Sequence, residues 1–208
     1  MKRQRQLTYN QAFAYFVTVT LSGFVELFRK DEYAQIVLSN LDYYRDKFEF
    51  RLLAYVIMPH HLHLVIHPSS KGNISEIMRD FKKYTAKGII ERLEEERQFN
   101  ILDIFCEVAE RHHPKENRKY QVWEDRFDDV ALYSEEVLRT KIDYIHNNPV
   151  RAGLVDSPGE YPYSSAGNYY PGDHSVIKVD CWEESCLARS GRGPDTHGDV
   201  ASPEEVVS

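Results

Sequence analysis

The sequence predicts an α+β fold built on an antiparallel sheet, and three observations carry that reading. Segments rich in β-branched and aromatic residues alternate with segments of helical apolar spacing, in the order strand, helix, strand, strand, helix, strand, helix. Two of the strand segments are separated only by Pro59 and His60, a hairpin connection that makes them antiparallel. The 208 residues are 42% hydrophobic and 12% aromatic, enough for one domain to bury a core without staples.

Each element follows from its residues. Phe13 to Leu21, FAYFVTVTL, is a strand by its aromatic and β-branched content. From Asp31 to about Phe48 a helix is expected, with Ile36, Val37, Leu41 and Tyr44 at helical spacing. Phe50 to Met58 and His61 to Pro68 are the two strands of the hairpin. Gly72, Asn73 and Ser75 announce a second helix, whose stripe is Ile74, Ile77, Met78, Phe81, Thr85, Ile89 and Leu93. Residues 94–121 turn charged and read as a helix tail followed by an irregular insertion, with His112 and His113 in a solvated loop. Trp123 to Leu132 is a fourth strand. Ser134 caps a third helix that should run to Asn147 and stop at Pro149, because a residue preceding proline is pushed out of the α region. This order corresponds to a ferredoxin-like or RRM-like sheet with helices on one face. The domain is expected over residues 1–187, with 188–208 a disordered tail poor in large apolar groups.

Composition excludes some classes. No stretch approaches the ~18 apolar residues of a membrane span. The basic Met1–Gln6 leads into no apolar run, so the cytoplasm is the expected compartment. Cys106, Cys181 and Cys186 are an odd number without framework spacing, as for reduced thiols. A net charge of −7 argues against coating nucleic acid by bulk charge. It leaves room for a local groove, for which Arg79, Lys82, Lys83 and Lys87 on one helical segment are candidates; a solvated helix flank explains them equally well.

Two segments carry chemistry. In VIMPHHLHLVIHP, Val56 to Pro68, strand alternation puts His61, His63, Val65 and His67 on one face and Leu62, Leu64 and Ile66 on the other. Two imidazoles ~7 Å apart along a strand can converge on one divalent cation, or can simply be satisfied inter-strand histidines. In KIDYIHNNPVRAGLV, Lys141 to Val155, helical spacing projects Lys141, Tyr144 and Asn148 together. That is equally compatible with a packing tyrosine at a helix terminus. These residues alone leave both alternatives open.

Taken together, VIMPHHLHLVI and DYIHNNPVRAGLV resemble the single-tyrosine transposases of the His-hydrophobe-His (HUH) class, and within them the REP-associated tyrosine transposases. The similarity extends from YFVTVTL through VWEDRFDD at Val122–Asp129 to YPYSSAGNY at Tyr161–Tyr169. It implies a DNA transposase that cuts and rejoins single-stranded DNA beside a hairpin, of the repetitive extragenic palindrome or element-end type. Tyr144 would be the nucleophile, forming a 5′-phosphotyrosine. His61, His63 and Asn148 would hold Mg²⁺ or Mn²⁺, and this donor set leans toward Mn²⁺ by ligand softness. Arg79, Lys82, Lys83, Lys87 and Lys141 would contact DNA. Both a monomer and a homodimer exchanging tyrosine helices fit the resemblance, as does a non-enzymatic nucleic-acid binder that kept the fold. The sequence departs from the family at His60, where Asn or Asp usually precedes the first histidine, and Tyr84 in FKKYTAKG is the rival nucleophile.

Overall fold

The structure, a computed structural model, describes residues 12–115, 118–169 and 176–180. The expectations for the tail, for the domain boundary at 187 and for Cys181 and Cys186 lie outside the described residues. Four strands, β1 (Ala14–Thr20), β2 (Arg51–Met58), β3 (His61–His67) and β4 (Asp128–Leu132), form an antiparallel sheet in the order β2-β3-β1-β4. The helix α1 (Asp31–Phe48) crosses over β3 to join β1 to β2, which gives the ferredoxin-like order expected from the sequence.

The sheet alternates as its sequence dictates. Tyr15, Val17, Val19, Leu62, Leu64 and Ile66 face one core, together with the apolar stripes of α1 and of α2 (Ile74–Glu95). Every residue of the predicted α2 stripe is buried. Asn73 begins that helix as a capping box, its side chain accepting from the Glu76 N–H while Glu76 reaches back to the Asn73 N–H.

The fourth long helix, α4 (Glu135–Arg151), corrects the expectation of helices on one face: it lies across the opposite face, on a second core of Phe16, Leu53, Ala54, Val56 and Val65. Leu138, Ile142 and Ile145 cover this face. The physical reason is visible in β2, where seven consecutive residues, Leu52 to Met58, are buried; a strand apolar on both sides needs a cover on both.

Three further expectations are corrected. Residues 94–121 are not irregular throughout: Phe99–His112 form α3, which buries Leu102, Phe105, Val108 and Ala109. Arg97 adopts φ 55°, and this left-handed residue ends α2 and lets α3 begin at once. Nor does Pro149 stop α4, which continues to Arg151. A proline removes one backbone donor, but here the last turn is held by Ala152 N–H to Asn148, Gly153 N–H to Val150 and Leu154 N–H to Pro149, with Gly153 at φ 67° closing the helix. The fourth strand is also shorter than expected, with Trp123 reduced to a bridge to Leu21.

Candidate active site

His61 and His63 stand on the α4 side of β3, where the alternation places them. Across the sheet, Thr18 of β1 and Val56 of β2 pair with His63, and Thr20 and Met58 pair with His61. The Thr18 Oγ1 lies 2.9 Å from His63 Nδ1. With Nδ1–H donating to that hydroxyl, the lone pair sits on Nε2, the arrangement a ligating imidazole needs. The two imidazole centroids are 4.8 Å apart. Burial, and for His63 also the neighbouring His61 and Lys141 charges, pushes the imidazolium pKa of His61 down to about 4 and that of His63 to about 3. Both rings are therefore neutral at pH 7, the state in which imidazole accepts a metal.

The packing of α4 brings Tyr144 to this pair. Its ring meets His63 edge-on, 5.5 Å between centroids, and both rings contact Phe16, at 5.9 Å for Tyr144 and 5.2 Å for His63. Asn148, one turn on, is half-buried, and its Nδ2 donates weakly to the Tyr144 carbonyl at 3.5 Å, which leaves Oδ1 as the available donor atom. Lys141 Nζ lies 4.7 Å from the Phe16 centroid and 5.5 Å from that of Tyr144. Arg151 brings its guanidinium carbon 5.4 Å from the Tyr144 ring. So Lys141, Tyr144, Asn148 and Arg151 form one row along α4, and two cations flank the phenol. Arg151 and Thr18 had not been singled out from the sequence. Arg151 at i+7 from Tyr144 was a readable signal, hidden by the expectation that Pro149 ended the helix.

Among the described residues no group of three His, Cys, Asp or Glu side chains could hold a metal ion. A set of two imidazoles and an amide is outside that pattern. The chemistry of its donors, two neutral rings on one strand and an amide oxygen on α4 one turn beyond Tyr144, fits a divalent cation of intermediate softness.

The remaining candidates separate. Tyr84 is exposed on α2, beside Tyr44, on the other side of the sheet from His61 and His63. His67 is at the far end of β3, with Nδ1 3.1 Å from the Pro68 carbonyl oxygen. His60 packs on Phe24 and His61. His113 is not solvated as expected but lies 2.9 Å from the Asp125 carboxylate. Arg79, Lys82 and Lys83 line a cavity between α2 and residues 118–127, whereas Lys87 pairs with Glu91 at 3.6 Å. Lys82 is only partly available: its Nζ donates to the carbonyls of Glu124 and Asp125, at 2.5 and 3.0 Å. Among the described residues no helix is long and apolar enough to cross a membrane.

Residues 24–107 match the family described as IS200-like transposases, a span that includes both histidines and ends before Tyr144. A protein of Haemophilus influenzae, named provisionally as a REP-associated tyrosine transposase, is 27% identical over 178 residues, covering 82% of this chain and 85% of that protein. The structure of a REP-associated tyrosine transposase bound to a REP hairpin superposes with a TM-score of 0.60 at 21% identity, covering all of both chains, and shares the fold. The resemblance carried by the two motifs thus holds in sequence and in fold: residues 24–107 are similar to the IS200-like transposases, and most of the chain is similar to a REP-associated tyrosine transposase.

Proposed function

We propose that this protein is a transposase that cleaves and rejoins single-stranded DNA next to a hairpin, with Tyr144 as nucleophile. One observation carries the reading: Tyr144 on α4 packs against His63 on the face that also holds His61, so a phenol and two neutral imidazoles from separate elements meet at one place. His61, His63 and Asn148 would hold the divalent ion. Bound there, Mg²⁺ or Mn²⁺ supplies Lewis-acid polarisation of the scissile phosphate.

The chain's own residues account for the rest. The Tyr144 oxygen forms a bond to phosphorus while the bond from phosphorus to the 3′ oxygen breaks. The phenol proton is released and the departing 3′ oxygen gains one, leaving a 5′-phosphotyrosine and a 3′-hydroxyl. Bond energy is retained in the link, so attack by another 3′-hydroxyl rejoins DNA without a nucleotide cofactor. Lys141 and Arg151, on either side of the phenol, offset the negative charge of the approaching phosphate. Thr18 holds His63 in a fixed orientation.

A labelled hairpin oligonucleotide with single-stranded flanks, incubated with Mn²⁺ and run on a denaturing gel, tests the proposal. The expected result is a labelled species at the size of protein plus DNA. Binding without cleavage would assign the chain to the non-enzymatic alternative, and cleavage without a covalent species would make water the nucleophile.

A further inference from the structure

The VWEDRFDD segment, part of the sequence resemblance, has no role in the site above. It forms one wall of a cavity of about 460 Å³ whose other wall is α2. Ser75, Arg79, Lys82, Lys83 and Ala86 lie along one face of that helix and all line the cavity. A volume of this size is in the range of small-ligand pockets and well beyond that of a trapped water. Three features make it more than a packing gap. Its lining includes three aromatic residues, the half-buried Tyr120 and Phe127 and the largely buried Trp123. Arg79, Lys83 and Arg118 bring positive charge; Asp80 pairs with Arg79 at 3.0 Å, and Asp125, the carboxylate in the lining, is held by His113 and Arg118 at 2.9 and 3.3 Å. Gln121 is 2% exposed, and neither atom of its amide has a hydrogen-bond partner among the described residues. Proteins rarely leave a buried amide wholly unpaired, and Gln121 is one of the residues that line the cavity.

The far wall is also tied to the candidate active site. Glu124 N–H donates to Thr20 O at 2.9 Å, and Thr20 pairs with His61 in the sheet. The cavity wall is therefore about two strand spacings, ~10 Å, from the strand end that bears His61. Lys82 fixes that wall through its bonds to the Glu124 and Asp125 carbonyls.

We propose that this cavity takes one unpaired nucleotide of the single strand, its base against Tyr120, Trp123 and Phe127, the base's polar edge meeting Gln121, and its phosphate on Arg79 and Lys83. Every base has a π-face, so the aromatic wall tolerates any sequence, while the amide supplies a donor and an acceptor that favour some bases over others. The identity of the ligand as DNA rests on the function proposed above.

Trp123 is a built-in reporter once Trp182, which lies outside the described residues, is changed to Phe in the full chain. The probes are an eight-residue oligo-dT and the same backbone with every base removed, titrated without divalent ion while Trp123 fluorescence is followed. Oligo-dT should bind about tenfold more tightly than the abasic strand. Gln121→Leu, close in volume and free of the unpaired amide, should fold and melt no lower than the parent while losing the part of that preference that the aromatic wall does not supply. Lys83→Glu, at an exposed position, should weaken both probes. Equal binding of the two probes, an undiminished base preference in Gln121→Leu, or unaltered binding in Lys83→Glu would overturn the pocket. Formation of the Tyr144–DNA adduct is scored separately: an adduct with no base preference refutes the pocket alone, and a base preference with no adduct refutes the cleavage reading alone.

Discussion

Tyr144 on α4 and His63 on β3 are in edge-to-face contact within one chain, with ring centroids 5.5 Å apart. The contact exists because β2 is apolar on both faces, so α4 must cover the side that also carries the histidines of β3, and Tyr144 lies on the covering surface beside Ile145. Packing and chemistry thus share one cause.

Within one chain this contact brings the proposed nucleophile to a proposed metal ligand. Mixing Tyr144→Phe protein with His63→Ala protein should therefore restore no cleavage above the sum of the two alone. Recovery to about a quarter of the wild-type rate, in an equal mixture at the same total protein, would show that tyrosine helices are exchanged between copies.

Thr18 acts on the reaction through His63. Thr18→Val keeps the shape and removes the hydroxyl bonded at 2.9 Å. Cleavage should fall roughly 10–100-fold, the usual cost of losing a ligand's hydrogen-bond partner, and higher Mn²⁺ should recover part of it. A metal titration of the cleavage rate checks both.

Lys82 and Lys83 should behave differently although they are adjacent. Lys83→Ala and Arg79→Ala should lower the steepness with which DNA binding falls with salt, by about one counterion each. Lys82→Ala should instead lower the melting temperature, because its ammonium holds the Glu124 and Asp125 carbonyls and burial pushes its pKa down to about 8. Binding isotherms across a salt series, with a thermal melt of each variant, separate the two roles.

Stability should depend on pH through His146. This side chain is buried between α4 and the segment after it, 3.0 Å from Ser165 Oγ and beside Tyr169, and burial pushes its pKa from 6.5 down to about 4. The unfolded chain takes up this proton at about pH 6.5 and the folded chain only near 4, so stability is full above 6.5 and is lost as pH falls through that window. The loss is on the order of 3 kcal/mol at 1.36 kcal/mol per pKa unit, and His61 and His63 add to it with the same sign. Urea unfolding at pH 7.5, 6 and 5 without divalent ion should show the decline, and His146→Asn should flatten it.

Strand alternation and helical spacing made much of this legible. His61 and His63 were placed on one face by a period of two, and Tyr144 and Asn148 on one surface by a period of 3.6, because those rules act within an element. What escaped depends on pairing between elements. Thr18 reaches His63 only through the β1–β3 register, and Gln121 is buried only because the chain runs back past Ser22, whose N–H bonds the Val122 carbonyl. The α3 helix escaped for another reason: Leu102, Phe105 and Ala109 have helical spacing, but the charged residues around them read as an irregular insertion. Pro149 misled because a proline in the last turn of a helix costs one donor, and here Gly153 closes the helix beyond it.

Whether Tyr144 attacks phosphorus can be read by mass spectrometry of the peptide that retains DNA after cleavage. The expected result is a nucleotide adduct on Tyr144, no adduct or cleavage in Tyr144→Phe with hairpin binding retained, and a normal adduct in Tyr84→Phe. An adduct on Tyr84, or cleavage by Tyr144→Phe at the wild-type rate, would contradict it.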